Sequence, residues 1–236
     1  MKIIKRGLLP ALCAALLALS ACGVSRDDAT VYIQGRLDCT YKGTISEDYV
    51  ELVDDMTEEE AREQYETNAV LEAGRMLRFL GVDYTEEGTA PQEVLDRAVE
   101  LVKEIYTHAQ YTVNRAEKLQ SGDFAVEVLV SPIELFHLIS AEDLADIWLE
   151  VCGENEIYNQ EELDAVTEEE YRAMDAQFAQ KVMDLTESLL PQLSHGEEQN
   201  VMLQLELEDD VYTLVANSWT NLDDMVIDYN GNYLAA

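Results

Sequence analysis

Twice the chain spells Thr-Glu-Glu-Glu, at 57–60 and at 167–170, and each time an apolar stripe of helical period follows. In such a start the threonine hydroxyl accepts the amide of the last glutamate, which reaches back to the threonine amide, so two orphan N–H groups are satisfied reciprocally. The acids also sit at the positive end of the helix dipole. After the first start, Ala61, Tyr65, Ala69, Ala73, Met76, Leu77 and Leu80 keep to one helical face until Gly81. After the second, Tyr171, Met174, Phe178, Val182, Leu185 and Leu189 do the same until Pro191 and Gly196. Two further helices are predicted. One follows Pro91 and carries Val94, Leu95, Ala98, Val99, Leu101, Val102, Ile105 and Tyr106; the other is capped by Ser140, carries Leu144, Ile147, Trp148 and Val151, and closes at Gly153. A short one follows Ser46.

Behind each group of helices the period changes from 3.6 to 2. The stretches 111–119 and 124–130 read as strands joined by a turn at Ser121-Gly122-Asp123, with Phe124, Val126, Val128 and Val130 on one face and Pro132 as the stop. Val201, Leu203, Leu205 and Leu207 alternate with polar residues before a turn at Asp209-Asp210 and a return over 211–216. A last hairpin is predicted around Asn230-Gly231, between Val226-Ile227 and Tyr233-Leu234. Residues 31–38 open the body either as a strand or as a helix, their pattern being too short to separate the two. The fold class that follows is α+β, helices packed on an antiparallel sheet. The recurrence fits two similar helix-plus-hairpin halves, 31–135 and 136–236, and fits equally well two helices that independently use a good cap.

The N-terminus carries a different message. Lys2, Lys5 and Arg6 precede an apolar run from Gly7 to Leu19 broken only by Pro10, and the run ends in Leu19-Ser20-Ala21-Cys22. Charge, then apolar residues, then small residues is the order of a secretory signal, and the run is too short for a spanning helix, which needs ~20 residues. The ending resembles the bacterial lipoprotein signal. That resemblance implies that residues 1–21 are removed, that Cys22 becomes the first residue and carries a diacylglycerol group, and that 22–30 form a lipidated tether ahead of an extracytoplasmic domain at 31–236. Two acyl chains hold a protein stably where one does not, so the expected location is the outer face of the cell membrane. The body is also similar to uncharacterised surface lipoproteins of Gram-positive bacteria, through Tyr111-Thr112-Val113 after a helix and a Val-rich strand ending Ser131-Pro132-Ile133. That similarity implies no activity.

Charge narrows the partners. With 49 Asp+Glu against 15 Lys+Arg and a net charge of −34, the chain lacks the basic stripe that displaces counterions from phosphates, so nucleic acid is not expected. Anionic headgroups repel the body as well. Of the four cysteines, Cys13 lies in the signal and Cys22 in its processing site; Cys39 and Cys152 remain, either as a disulfide or as two buried thiols.

No pattern of catalytic chemistry emerges. His108, His137 and His195 have no second histidine at ligand spacing and read as structural or surface residues; the phosphate-loop, dinucleotide and nucleophile-elbow motifs are missing. Asp223-Asp224, Asp228, Asn230 and Asn232 resemble a calcium loop but lack its closing glutamate and correctly placed glycine, so turn chemistry is the better reading. Tyr32, Tyr41, Tyr49, Tyr158, Tyr229 and Tyr233 are expected at loops and element edges, at the wet rim of a core. The sequence thus assigns lipidation to Cys22, no catalytic residue, no metal and no cofactor. It points to a non-catalytic binding or scaffolding lipoprotein whose partner is a cell-envelope protein, peptide or small molecule. The alternative is an envelope hydrolase that cuts wall glycan or peptide with a pair of carboxylates.

Overall fold

The computed structural model describes residues 19–20, 23–53, 56–82, 91–208 and 211–229. It shows an α+β fold in which helices cover one face of an antiparallel sheet. The predicted caps form as their chemistry requires. Thr57 and Thr167 each accept the amide of the third helical residue and receive its carboxylate in return, opening the helices at Glu58–Phe79 and Glu168–Leu189; Ser140 does the same with Asp143 for the helix at Ala141–Glu154. Helix α1 is Arg26–Lys42, α2 Glu47–Leu52, α3 Glu58–Phe79, α4 Gln92–Tyr106, α5 Ala141–Glu154, α6 Gln160–Asp164, α7 Glu168–Leu189 and α8 Ala216–Val226.

The strands are β1 Leu19–Ser20, β2 Gln110–Val113, β3 Glu117–Lys118, β4 Phe124–Ser131, β5 Gln199–Glu208 and β6 Val211–Leu214. They run in the order β1-β6-β5-β4-β2, with β3 also on β4, and every pairing is antiparallel. Both hairpins therefore share one sheet, β4 against β5. Phe124 stands opposite Leu205, Val126 opposite Leu203 and Val128 opposite Val201, all six buried, so the period-2 apolar faces seen in the sequence meet as cross-strand pairs. Helices α1 and α8 lie on β4; α3 packs on α1 and α4, and α7 on α4 and α5. One contiguous core runs through both proposed halves.

The structure departs from the sequence reading in several places. Residues 26–30 are not a tether. Ser25 caps α1 in a full capping box with Asp28, so the helix begins inside 22–30 and also settles the open choice at 31–38. Gly43, with φ 59°, ends it in the left-handed conformation glycine tolerates. Nothing in α1 reads as a stripe because Tyr32, Ile33, Gly35, Arg36, Leu37, Cys39 and Tyr41 are buried on several of its sides. The stretch 111–119 is broken, since β2 stops at Val113 and the chain resumes as β3 two residues before Leu119. Helix α5 runs one residue past Gly153, to Glu154, and Asn155 caps it. Val226 closes α8, and Ile227 makes an isolated parallel bridge to Ile133; the rest of the predicted hairpin, Asn230-Gly231 and Tyr233-Leu234, lies outside the described residues.

Candidate functional site

Three of the tyrosines expected at the rim are at the centre, and Tyr229 is half-buried as a rim residue would be. Tyr32, Tyr41 and Tyr49 are fully buried on α1 and α2, whereas Tyr158 is exposed. They surround polar groups that no apolar core could hold unpartnered. Arg36, nearly buried, lies with its guanidinium carbon 4.6 Å from the centre of the Trp219 ring, and its charge opposes the burial that raises the Tyr32 and Tyr49 phenols. Tyr41 stacks on Trp219 at 11° and meets Tyr106 edge-on at 5.2 Å.

Beyond these rings lies a carboxylate cluster. Glu72 of α3 is 6% exposed. Tyr229 donates to its Oε1 at 2.5 Å, and Arg75 approaches its Oε2 at 3.4 Å. Arg75 also reaches Asp223 at 3.6 Å and Asp224 at 3.4 Å, while Tyr41 donates to Asp223 at 2.9 Å. Helix spacing builds the pair of Glu72 and Arg75, three residues apart on one face, and α8 brings the aspartates to them. Loss of hydration raises the Glu72 carboxyl above its usual range, against the pull of Arg75 and Tyr229. The same cause raises Asp223, against Tyr41 and Arg75. Burial also holds Tyr41, Tyr106 and Tyr229 well above the ordinary phenol value. A carboxyl that keeps its proton is what a general acid needs. Here, though, each carboxylate is engaged by tyrosine hydroxyls and by Arg75, which is the arrangement of a buried structural network.

A second cluster gathers where three segments cross. Ile133 forms bridges to both His195 and Ile227, and its amide and carbonyl bond to Val226 and Asp228. This crossing brings together Glu134, His137 and Asp228, one donor atom of each within 4.8 Å of the others. His137 Nε2 lies 2.9 Å from Asp228 Oδ2. Nothing in the sequence reading singled out Glu134. The spacing Glu134-x-x-His137 was visible, but only the fold brings up Asp228.

The remaining candidates resolve more simply. Cys22 lies outside the described residues. Cys39 and Cys152 are both free and buried, which answers the disulfide question with two thiols. Burial raises both, with Arg36 opposing it at Cys39, so neither is poised as a nucleophile. His195 Nε2 bonds the His108 carbonyl at 2.8 Å, tying the loop before β5 to the end of α4. Asp223 and Asp224 belong to α8 and not to a loop. A surface depression of about 310 Å³ lies beside β2, its lining including Lys42, Tyr111, Thr112, Leu129, Ser131 and Glu198. Lys42 sits 4.3 Å over the Tyr111 ring, and the Tyr111 hydroxyl donates to Asp38 at 2.7 Å.

With these features the chain belongs architecturally to proteins that lay helices on one face of an antiparallel sheet. Among solved structures it is similar to the candidate lipoprotein ycdA of Bacillus subtilis, at 16% identity and a TM-score of 0.55; the match covers 85% of this chain and 56% of that one. The chain thus spans just over half the length of that neighbour, and at this identity the likeness concerns the fold. No family model and no curated protein matches.

Proposed function

We propose that the protein is a lipid-anchored, extracytoplasmic lipoprotein that binds or scaffolds an envelope component without catalysing a reaction. The observation that carries the proposal is Leu19-Ser20-Ala21-Cys22 at the end of a short apolar run, followed within three residues by the N-cap of the first helix. A lipid on Cys22 would then hold the body close to the bilayer, since Gly23 to Ser25 span at most about 10 Å when extended. Val24 already packs against the core. Fold likeness to a candidate lipoprotein supports the same reading. Among the described residues no helix is long and apolar enough to cross a membrane.

The binding role is supported by the commitment of the desolvated acids Glu72 and Asp223 to tyrosines and Arg75. It is supported also by the Tyr111 and Lys42 depression, where a cation and an aromatic face stand together on an otherwise acidic body. The test is metabolic labelling with palmitate followed by fractionation. The native protein takes up label and sediments with membranes, and Cys22→Ala takes up none and is released. Unlabelled native protein, or a Cys22→Ala variant that still sediments wholly with membranes, overturns the assignment.

A further inference from the structure

We propose that Glu134, His137 and Asp228 form a binding site for one divalent transition-metal cation of the zinc type, with an imidazole nitrogen and two carboxylate oxygens as ligands. The inference does not depend on lipidation of Cys22. Its first support is the way the donors are placed. Glu134 precedes the 3-10 turn Leu135–Leu138, and His137 lies three residues on. Side chains at that spacing eclipse one another in a 3-10 turn, so carboxylate and imidazole project to the same side. Asp228 is set against them by its amide, which donates to the Ile133 carbonyl at 2.9 Å, and the Ile133 amide returns a bond of the same length to Val226.

The second support is the state of His137 itself. Its Nε2 is closed to solvent and has no hydrogen-bond partner of adequate geometry, yet it lies 2.9 Å from Asp228 Oδ2. A buried ring nitrogen facing a carboxylate normally points its proton at it. Two ligands of one cation have no reason to align. With metal–ligand distances of ~2.1 Å, adjacent ligands of an octahedron stand ~3.0 Å apart and those of a tetrahedron ~3.4 Å. The 2.9 Å between His137 and Asp228 matches the octahedral edge, and Glu134 offers its oxygen within 4.8 Å of both.

The third support is the room made for Glu134. A Cβ on Gly196 would come within 2.8 Å of Glu134 Oε1, so a bare glycine leaves the space in which that carboxylate lies. Ser194 Oγ reaches the other oxygen at 3.4 Å, the kind of outer contact that orients a ligating carboxylate. One nitrogen and two oxygens suit zinc or manganese better than magnesium or calcium, which take oxygen alone. Two carboxylates balance the charge of a divalent ion, and the net charge of −34 concentrates cations around the whole molecule.

The test uses the full-length protein in detergent, stripped with a chelator and titrated with zinc chloride against a chromophoric competitor. One equivalent binds ahead of the rest. His137→Ala and Asp228→Asn each weaken that equivalent at least about tenfold, while Glu93→Gln on α4 leaves it unchanged, and magnesium does not displace it. Because a substitution at this crossing can disturb folding, the imidazole nitrogen resonances of the unmutated protein provide a second reading. Zinc shifts those of His137 and leaves His108 and His195 in place. Only weak, multiple binding to surface acids, a tight equivalent unmoved by His137→Ala, or an unshifted His137 ring overturns the proposal.

Discussion

A methyl group added at Gly35 should unfold the protein more readily, and the same methyl at Gly74 should do the reverse. Both glycines are interior to helices, where replacing glycine by alanine recovers ~0.5–1 kcal/mol of helix stability. At Gly74 of α3 the new Cβ meets nothing within 4 Å, so that gain stands alone. At Gly35 of α1 it would lie 2.4 Å from Tyr49 Cβ, 2.5 Å from Cγ and 2.7 Å from Cδ2. These atoms cannot swing away by a rotamer change, because Tyr49 Cβ is fixed to the backbone of α2 and its ring is buried 6.0 Å from Tyr32. Ordinary contact near 3.5 Å therefore requires the two helices to part by about 1 Å. Overpacking of this kind costs ~1–3 kcal/mol and sometimes more; with the clash at a backbone-fixed atom the upper part of that range applies, leaving Gly35→Ala destabilised by ~1–3 kcal/mol after the propensity gain. In a chain of this size each kcal/mol moves Tm by ~2–4 °C. Calorimetry and urea titration of the two variants beside the native protein should give a Tm lowered by ~2–12 °C for Gly35→Ala and raised by ~1–4 °C for Gly74→Ala. A Gly35→Ala protein as stable as the native one would show that α1 and α2 do not meet as described.

Acidity offers a separate check. Glu72 and Asp223 bind their protons more tightly folded than unfolded, so stability should rise as pH falls from neutral into the ordinary carboxylate range. It should turn down only at lower pH, as the capping acids Glu60, Asp143 and Glu170, which are shifted the other way, become protonated. Glu72→Gln should flatten the rising limb in chemical denaturation curves taken across that range; an unchanged slope would remove Glu72 from the account. Thr57→Ala and Thr167→Ala should each cost ~0.5–2 kcal/mol by urea titration through loss of the cap, and a neutral result at both would contradict the reciprocal bonding. Val126→Ala, which empties a fully buried site opposite Leu203, should cost ~2 kcal/mol or more. A chain beginning at Gly23 should fold with native helix content by circular dichroism, because of the described residues it loses only the two that pair with β6.

What could be seen in the chain was whatever a local rule decides. Thr57, Ser140 and Thr167 each carry their own instruction within four residues, and the alternation from Phe124 to Val130 needs only a strand with one wet face. Helix α1 escaped because it is enclosed on several sides and so has no polar face to mark its period. Its tyrosines read as rim residues for the same reason. The Tyr41 hydroxyl is satisfied by Asp223 of α8, a partner that only tertiary structure supplies. Asp228 seemed to belong with Asp223 and Asp224 in a loop; α8 separates them, sending the first two toward Arg75 and the last toward His137.

The pairing of β4 with β5 bears on when the molecule can take shape. Val130 waits for Gln199 and Phe124 for Leu205, so the valine-lined strand has no central neighbour until the ribosome has made most of the chain. Distant pairings of this kind form slowly. In the proposed exported lipoprotein, which would be threaded through a narrow pore, delay would be useful: the first part to emerge could not close its sheet and jam the passage, and assembly would wait until the last third was available on the far side.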